Sequence, residues 1–161
     1  MSDAAPAPTL AVPRLDLVAR LEVRVGAPVA VGRTAGGERR VVPVLGGRVL
    51  GPRLTGSIVP GGSDVQLVRP DGVVEIEARY VVELDDGARV FVHDAGVRHA
   101  PPDVAAAPAP GEAVDPALVY SRTRVIFETD APRYRWLTRD LFVGTGARAG
   151  DHVVLAFHHV S

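Results

Sequence analysis

Four short clusters in this sequence carry the residue types that move protons or hold anions. The first, Gly61-Gly62-Ser63-Asp64-Val65-Gln66, sets Asp64 and Gln66 two positions apart, on one face of a strand. If that face is interior, a carboxylate base and an amide donor share a pocket; on an outer face the same pair is solvated. The second, His93-Asp94-Ala95-Gly96-Val97-Arg98-His99, joins groups that titrate near neutrality to a guanidinium that grips carboxylates with a fork of donors. Two histidines beside a carboxylate invite a metal, but the spacing follows no ligand pattern and implies no third ligand. His158 and His159, being adjacent, point to opposite faces and cannot both ligate from one strand. No metal site is expected.

The third cluster, Val119-Tyr120-Ser121-Arg122-Thr123-Arg124, puts Tyr120, Arg122 and Arg124 on one face, where Tyr120 and Arg122 form a candidate proton-donating or oxyanion-binding pair. The fourth runs from Phe127 and Glu128 through Arg133-Tyr134-Arg135-Trp136 to Arg139 and holds the single tryptophan. Its interleaved rings and guanidiniums suit either a planar ligand or a subunit interface. Gly144-Thr145-Gly146 lacks the strand-to-helix setting of a phosphate loop and reads as strand-bending glycines. No nucleophile-elbow motif is present.

Composition removes whole chemistries. The 161 residues include no cysteine, which excludes thiolate nucleophiles, disulfides and thiolate metal sites. All 18 basic residues are arginine, so no lysine is present to form a Schiff base or to serve a Walker-type phosphate loop. A net charge of −1 gives no general attraction to nucleic acid or to an anionic membrane. With no long apolar run and no signal-peptide pattern, a cytoplasmic protein with no membrane or nucleic-acid partner is expected.

The elements that must position these residues are strands. Residues 1–13 are rich in Ala and Pro without periodicity and read as a disordered arm, leaving 14–161 as one domain. Alternation begins at Leu15–Val25. Short apolar pieces come next at Val29–Gly32 and Arg39–Val44, then a glycine-interrupted run at Gly47–Pro60. Val74–Leu84 alternates most clearly, with Val74, Ile76, Ala78, Tyr80, Val82 and Leu84 on one face. Turn signals at Pro70-Asp71-Gly72 and Asp85-Asp86-Gly87 make Asp64–Asp94 a three-strand meander. A three-residue loop at Asp85–Gly87 sets Val82 opposite Val90 and Tyr80 opposite Val92; a two-residue loop would bring Tyr80 beside His93. The first register groups apolar side chains and is preferred. Pro101–Pro116 reads as a long loop with room for a helical turn near Pro116, and Pro132–Arg139 as a loop or single helical turn. Further strands are expected at Leu118–Thr129, Asp140–Ala147 and His152–Val160. Roughly ten short strands with almost no helical periodicity suggest an all-β fold, a single antiparallel up-and-down barrel whose interior holds one small ligand.

These segments resemble the bacterial and fungal family known as domain of unknown function 3237, also called uncharacterised protein family 0311. The resemblance rests on Pro43–Gly51, Pro60–Gln66, Ala78-Arg79-Tyr80, Asp85-Asp86-Gly87, Gly96-Val97-Arg98-His99 and Tyr120-Ser121-Arg122. It is best at Phe127-Glu128-Thr129 through Pro132-Arg133-Tyr134-Arg135-Trp136-Leu137 and on to Gly144. Thr138 stands where family members commonly show Asn, and Val65 where they show Trp. The resemblance implies a lipocalin-like or allene-oxide-cyclase-like barrel, a homo-oligomer, and one cavity lined by Asp64, Gln66, Arg98, Tyr120, Arg122 and Glu128.

The expected function is cofactor-independent acid/base catalysis on a small carbonyl- or carboxylate-bearing compound, by an isomerase, cyclase, lyase or hydratase. Asp64 or Glu128 is the expected base and Tyr120 the proton donor. Gln66, Tyr80, Arg98, His99, Arg122, Tyr134 and Trp136 are the expected substrate contacts, converging at a mouth formed by Arg98, Tyr120, Arg122 and the Glu128–Trp136 segment. The alternatives are a barrel that binds a small ligand without transforming it, and an oligomeric structural protein. No cofactor is expected.

Overall fold

Alternating β-formers between turn residues build nine strands, seen in a computed structural model that describes residues 7–105 and 114–161. They are β1 (Leu15–Val25), β2 (Val29–Thr34), β3 (Gly37–Leu50), β4 (Gly56–Val68), β5 (Val74–Leu84), β6 (Arg89–His99), β7 (Tyr120–Glu128), β8 (Leu141–Ala149) and β9 (His152–Val160). From β3 to β9 each strand pairs antiparallel with the next, and β1 pairs with both β9 and β3. The sheet therefore closes as the expected up-and-down barrel, with eight strands in the ring. Backbone hydrogen bonds of 2.9 Å in both directions between Arg14 and Ser161 tie off the seam.

β1 and β2 run along the same edge of β3 and are interrupted at Gly26-Ala27-Pro28, where proline offers no backbone donor. β9 begins with His152 opposite Arg24, so the β2–β3 hairpin rises above the rim of the ring. The pieces expected at Arg39–Val44 and the start of Gly47–Pro60 are one strand, β3, and β4 runs unbroken from Gly56 past Asp64. Register shifts between Pro43 and Gly47 and between Val59 and Ser63 bend these long strands and let the sheet curl. At Gly47 (φ +153°) an added Cβ would lie 2.0 Å from the Glu22 carbonyl oxygen, so only glycine permits the β1–β3 approach that closes the ring.

The β5–β6 hairpin adopts the preferred register, with Val82 opposite Val90 and Tyr80 opposite Val92. Ala78, Tyr80, Val82 and Leu84 are accordingly buried. Successive turns of a meander alternate between the two ends of a barrel. The turns after β3, β5 and β7 lie at one end, which is filled by Leu21, Val49, Leu54, Leu84, Val90 and Phe127 among others. About 10 Å³ is left between these side chains, at the margin of room for one water. A 3₁₀ segment at Pro132–Thr138 seals that end by burying Leu137, and Tyr134 donates a 2.8 Å hydrogen bond to Asp86.

The turns after β2, β4, β6 and β8 ring the other end, the mouth. The stretch expected as a long loop contributes a four-residue helix, Pro102–Ala105, and a 3₁₀ turn at Pro116–Leu118; its residues 106–113 lie outside the described residues. Of the arm expected at 1–13, residues 1–6 also lie outside, and 7–14 carry no secondary structure. Among the described residues no helix is long and apolar enough to cross a membrane.

Candidate active site

The inward face changes from apolar to polar halfway along the barrel, and the strand registers determine which side chains meet there. Asp64 on β4 lies opposite Ala78 on β5, and Ala78 lies opposite Asp94 on β6. Directly opposed residues share a face, so the two carboxyls flank the small Ala78 methyl, their Cα atoms two strand spacings or about 10 Å apart. Tyr80 lies two positions deeper on the same face of β5. Gln66 lies two positions nearer the mouth on β4, opposite Arg40 of β3, and Arg98 lies four positions nearer the mouth than Asp94. Thr123 of β7 lies opposite Gly96 on the same inward face.

A chain of hydrogen bonds organises the β3–β4 side. Arg40 Nε donates to Gln66 Oε1 at 2.8 Å, and Gln66 Nε2 donates to Asp64 Oδ2 at 2.5 Å. The backbone N–H of Glu77 donates to Asp64 Oδ1 at 3.1 Å. Burial nonetheless raises the Asp64 carboxyl above the usual carboxylate range, against those hydrogen bonds and the charges of Arg98 and Arg40. Asp94 is 2% exposed, and burial pushes its carboxyl up to about 6; the Thr123 hydroxyl opposes the rise and the Asp64 charge adds to it. Burial, then Asp94 and Asp64, hold the Tyr80 phenol well above its ordinary value, so it stays protonated. Tyr80 Oη and Asp94 Oδ1 are buried without a hydrogen-bond partner. A buried unpartnered polar group costs about 1–3 kcal/mol and calls for an explanation; His93 Nε2 and His158 Nδ1 are also unpartnered, on the opposite phase of their strands. Two aligned on one inward face mark this site.

Glycine makes room for the arrangement. A Cβ on Gly144 of β8 would come 2.3 Å from Thr123 Oγ1, so only glycine there lets the Thr123 hydroxyl sit beside Asp94.

Of the residues expected in one cavity, Asp64, Gln66, Tyr80 and Arg98 do share the barrel interior. Tyr120, Arg122 and Glu128 do not. The inward face of β7 is Ser121, Thr123, Val125 and Phe127, and the three expected residues alternate with these on the outer wall. His99 also faces outward, stacked on Tyr120 with ring centroids 4.8 Å apart, and the Arg122 guanidinium lies 5.1 Å from the Tyr120 ring centroid. Tyr120 and Glu128 stand at opposite ends of β7, eight residues or about 26 Å apart, so the expected common mouth does not exist. Tyr134 and Trp136 belong to the sealed end, where Arg53 lies 3.6 Å above the Trp136 ring. Glu128 borders an open hollow of about 540 Å³ on the outer wall, with Val81, Arg89, Phe91, Thr129 and Asp130. That hollow holds none of the inward carboxyls, and it is not the site.

Three inward residues escaped the sequence reading: Arg40, Asp94 and Thr123. Asp94 was within reach, since the preferred register that sets Tyr80 opposite Val92 also sets Ala78 opposite Asp94. Among the described residues no three histidines or carboxylates gather closely enough to hold a metal ion.

Known proteins resemble this chain in fold and in sequence. A UPF0311 protein of Rhodopseudomonas palustris strain TIE-1 is 44% identical over 140 residues, covering 87% of this chain and 92% of the relative. The crystal structure of a conserved protein of unknown function from Rhodopseudomonas palustris superposes with a TM-score of 0.88 at 40% identity, covering 94% of this chain and all of that one. A more distant relative, the hydroalkoxylation enzyme phnH of Penicillium herquei, is 24% identical over 102 residues, covering 63% of this chain and 53% of that protein. A family model described as protein of unknown function (DUF3237) matches residues 13–160, and the chain belongs to that family.

Proposed function

We propose that the barrel is a cofactor-independent acid/base enzyme acting on a small carbonyl- or carboxylate-bearing organic compound. The observation that carries this reading is the pair of inward carboxyls, Asp64 and Asp94, on either side of Ala78, with the unpartnered Tyr80 hydroxyl one layer deeper. Unequal environments divide their roles. Asp94, most buried and pushed up to about 6, is half protonated near pH 6 and serves as the acid. Asp64, held by Gln66 and the Glu77 amide and within the field of two arginines, serves as the base. Tyr80 donates to an oxygen on which negative charge develops.

The distant relative's name supports acid/base chemistry of this kind. Hydroalkoxylation adds an alcohol O–H across a carbon–carbon double bond. A base removes the hydroxyl proton, the oxygen forms a bond to one alkene carbon, and an acid protonates the other. Asp64 gains a proton as Asp94 loses one, and solvent exchange at the mouth resets the pair. Isomerisation and cyclisation beside a carbonyl need the same two proton transfers.

The test is proton exchange. The protein is incubated in D2O with a panel of keto acids, enones and hydroxy-alkenes able to close a cyclic ether, and carbon-bound deuterium and ring closure are followed by NMR. Catalysed exchange is expected in wild type, falling as pH rises above about 6 where Asp94 loses its proton. Asp64→Asn and Asp94→Asn are expected to lose it by about 100-fold or more, while the outer-wall variant Tyr120→Phe keeps it. Exchange that survives both Asn variants would overturn the reading.

A further inference from the structure

The mouth carries more positive charge than the proton-transfer pair requires. Arg40 of β3, Arg98 of β6 and Arg148 of β8 fall on inward-phase positions of their strands at the rim end. Arg98 lies in the field of the other two: after burial, the Arg40 charge is the largest influence lowering the Arg98 guanidinium, and Arg148 adds to it, while Asp64 opposes. Among the described residues no carboxylate lies within ion-pair distance of any of the three. Six other arginines have a partner, Arg48, Arg69, Arg79, Arg89 and Arg133 in carboxylates and Arg53 in the Trp136 ring. What sets the rim three apart from the other arginines left unpaired among the described residues is their shared inward phase at one end of the barrel.

The three arginines also keep donors to spare. Arg40 commits Nε to Gln66 and Arg148 commits Nε to the Gly150 carbonyl at 3.2 Å, which leaves the terminal nitrogens of both without a partner among the described residues. Clustered guanidiniums repel, and desolvating them is costly unless an anion arrives to meet them. A guanidinium fork holds two oxygens of a carboxylate or of a phosphate through paired hydrogen bonds, and of these the carboxylate is the anion that the compound proposed above can carry.

We infer that Arg40, Arg98 and Arg148 form a carboxylate-binding rim, so that the compound entering the barrel is an organic acid, held by its carboxylate at the mouth with its remainder toward Asp64, Asp94 and Tyr80. Anion binding at the rim stands on its own geometry; the choice of a carboxylate and the chemistry after binding rest on the proposed function. The rim narrows the substrate class from carbonyl or carboxylate compounds to carboxylates. It also gives Gln66 a positioning role, since this amide links Arg40 of the rim to the base Asp64.

The probes are benzoate and its neutral isostere benzamide, titrated into wild-type protein at low ionic strength and followed by calorimetry and by NMR of backbone amides. Saturable benzoate binding is expected, at least about tenfold tighter than benzamide, with shifts at β3, β6 and β8. Arg98→Gln is expected to weaken benzoate by about tenfold or more and leave benzamide unmoved. Arg148→Gln, at the exposed rim, gives the same direction should the half-buried Arg98 variant fail to fold. Equal binding of benzoate and benzamide, no saturable benzoate binding, or benzoate affinity unchanged in Arg148→Gln and Arg98→Gln would each overturn the inference. The two readings separate cleanly: benzoate binding retained in Asp94→Asn without catalysed exchange in any protein overturns the enzyme alone. Catalysed exchange on neutral enones with no benzoate binding overturns the rim alone.

Discussion

Replacing Asp94 by asparagine should stabilise the protein at alkaline pH. Asp94 is 2% exposed, and its carboxyl is pushed from the ordinary 3.8 to about 6. That difference is about 2.2 pKa units, and at 1.36 kcal/mol each it corresponds to roughly 3 kcal/mol. The folded state binds the proton more tightly than the unfolded chain does. The stabilisation is therefore complete below about pH 3.8 and is lost as pH rises to about 6, beyond which the charged form is carried at full cost. Asparagine does not ionise, and its amide oxygen still accepts from Thr123. At pH 4 the variant should match wild type to within the roughly 1 kcal/mol of an ordinary hydrogen bond. At pH 8 it should be more stable by roughly 2–3 kcal/mol, a large share of the 5–15 kcal/mol typical of a domain. Urea unfolding of both proteins at the two pH values measures this directly, and Trp136, packed at the sealed end near Phe142, supplies the fluorescence signal. Groups common to both proteins cancel in the double difference. A gap between variant and wild type that stays constant within about 0.5 kcal/mol from pH 4 to pH 8 would refute the claim that Asp94 is buried as described.

Tyr80→Phe removes a buried hydroxyl that has no partner, so stability should hold or rise by up to about 1 kcal/mol, while proton exchange falls by about 100-fold; chemical denaturation and the D2O assay read the two effects separately. Gly144→Ala places a methyl 2.3 Å from Thr123 Oγ1 and should cost about 1–3 kcal/mol by overpacking. The displaced hydroxyl no longer favours the Asp94 carboxylate, so carbon-13 NMR should find that carboxyl titrating at still higher pH in the alanine variant.

Much of the barrel was legible because period-two alternation and Asp-Gly turns are local signals. The β5–β6 register could be read from the Asp85-Asp86-Gly87 loop and from the gain in pairing Val82 with Val90. Asp64 and Gln66 were legible as a pair because they stand two positions apart, on the same face of a strand. Arg40 was not, since the register shift between Pro43 and Gly47 breaks the phase of β3 and defeats any face assignment carried along it. The misplacement of Tyr120, Arg122 and Glu128 has a different origin. Polar alternation on β7 identified one face correctly, but the opposite phase, Ser121 to Phe127, supplies the small and apolar side chains that fit a barrel interior. Long arginines and an exposed tyrosine are what a strand shows to water. Counting turns would also have separated Tyr134 and Trp136 from Arg98, because the turns before and after β7 must lie at opposite ends of a meander.

The seam between β1 and β9 gives the molecule an end-to-end dependence that its hairpins do not share. The arc from β3 to β8, which supplies every residue of the site and its rim, is a succession of adjacent pairings of low sequence separation. The ring itself closes only when the first and last strands meet, the most distant pairing in the chain and the slowest to find by diffusion. Because Arg14 and Ser161 already hydrogen-bond, a short peptide joining them would convert that search into a hairpin. A circularly permuted chain reopened at the exposed Asp71-Gly72 turn would move the long-range closure from the β1–β9 seam to the β4–β5 pair and should still present the same interior.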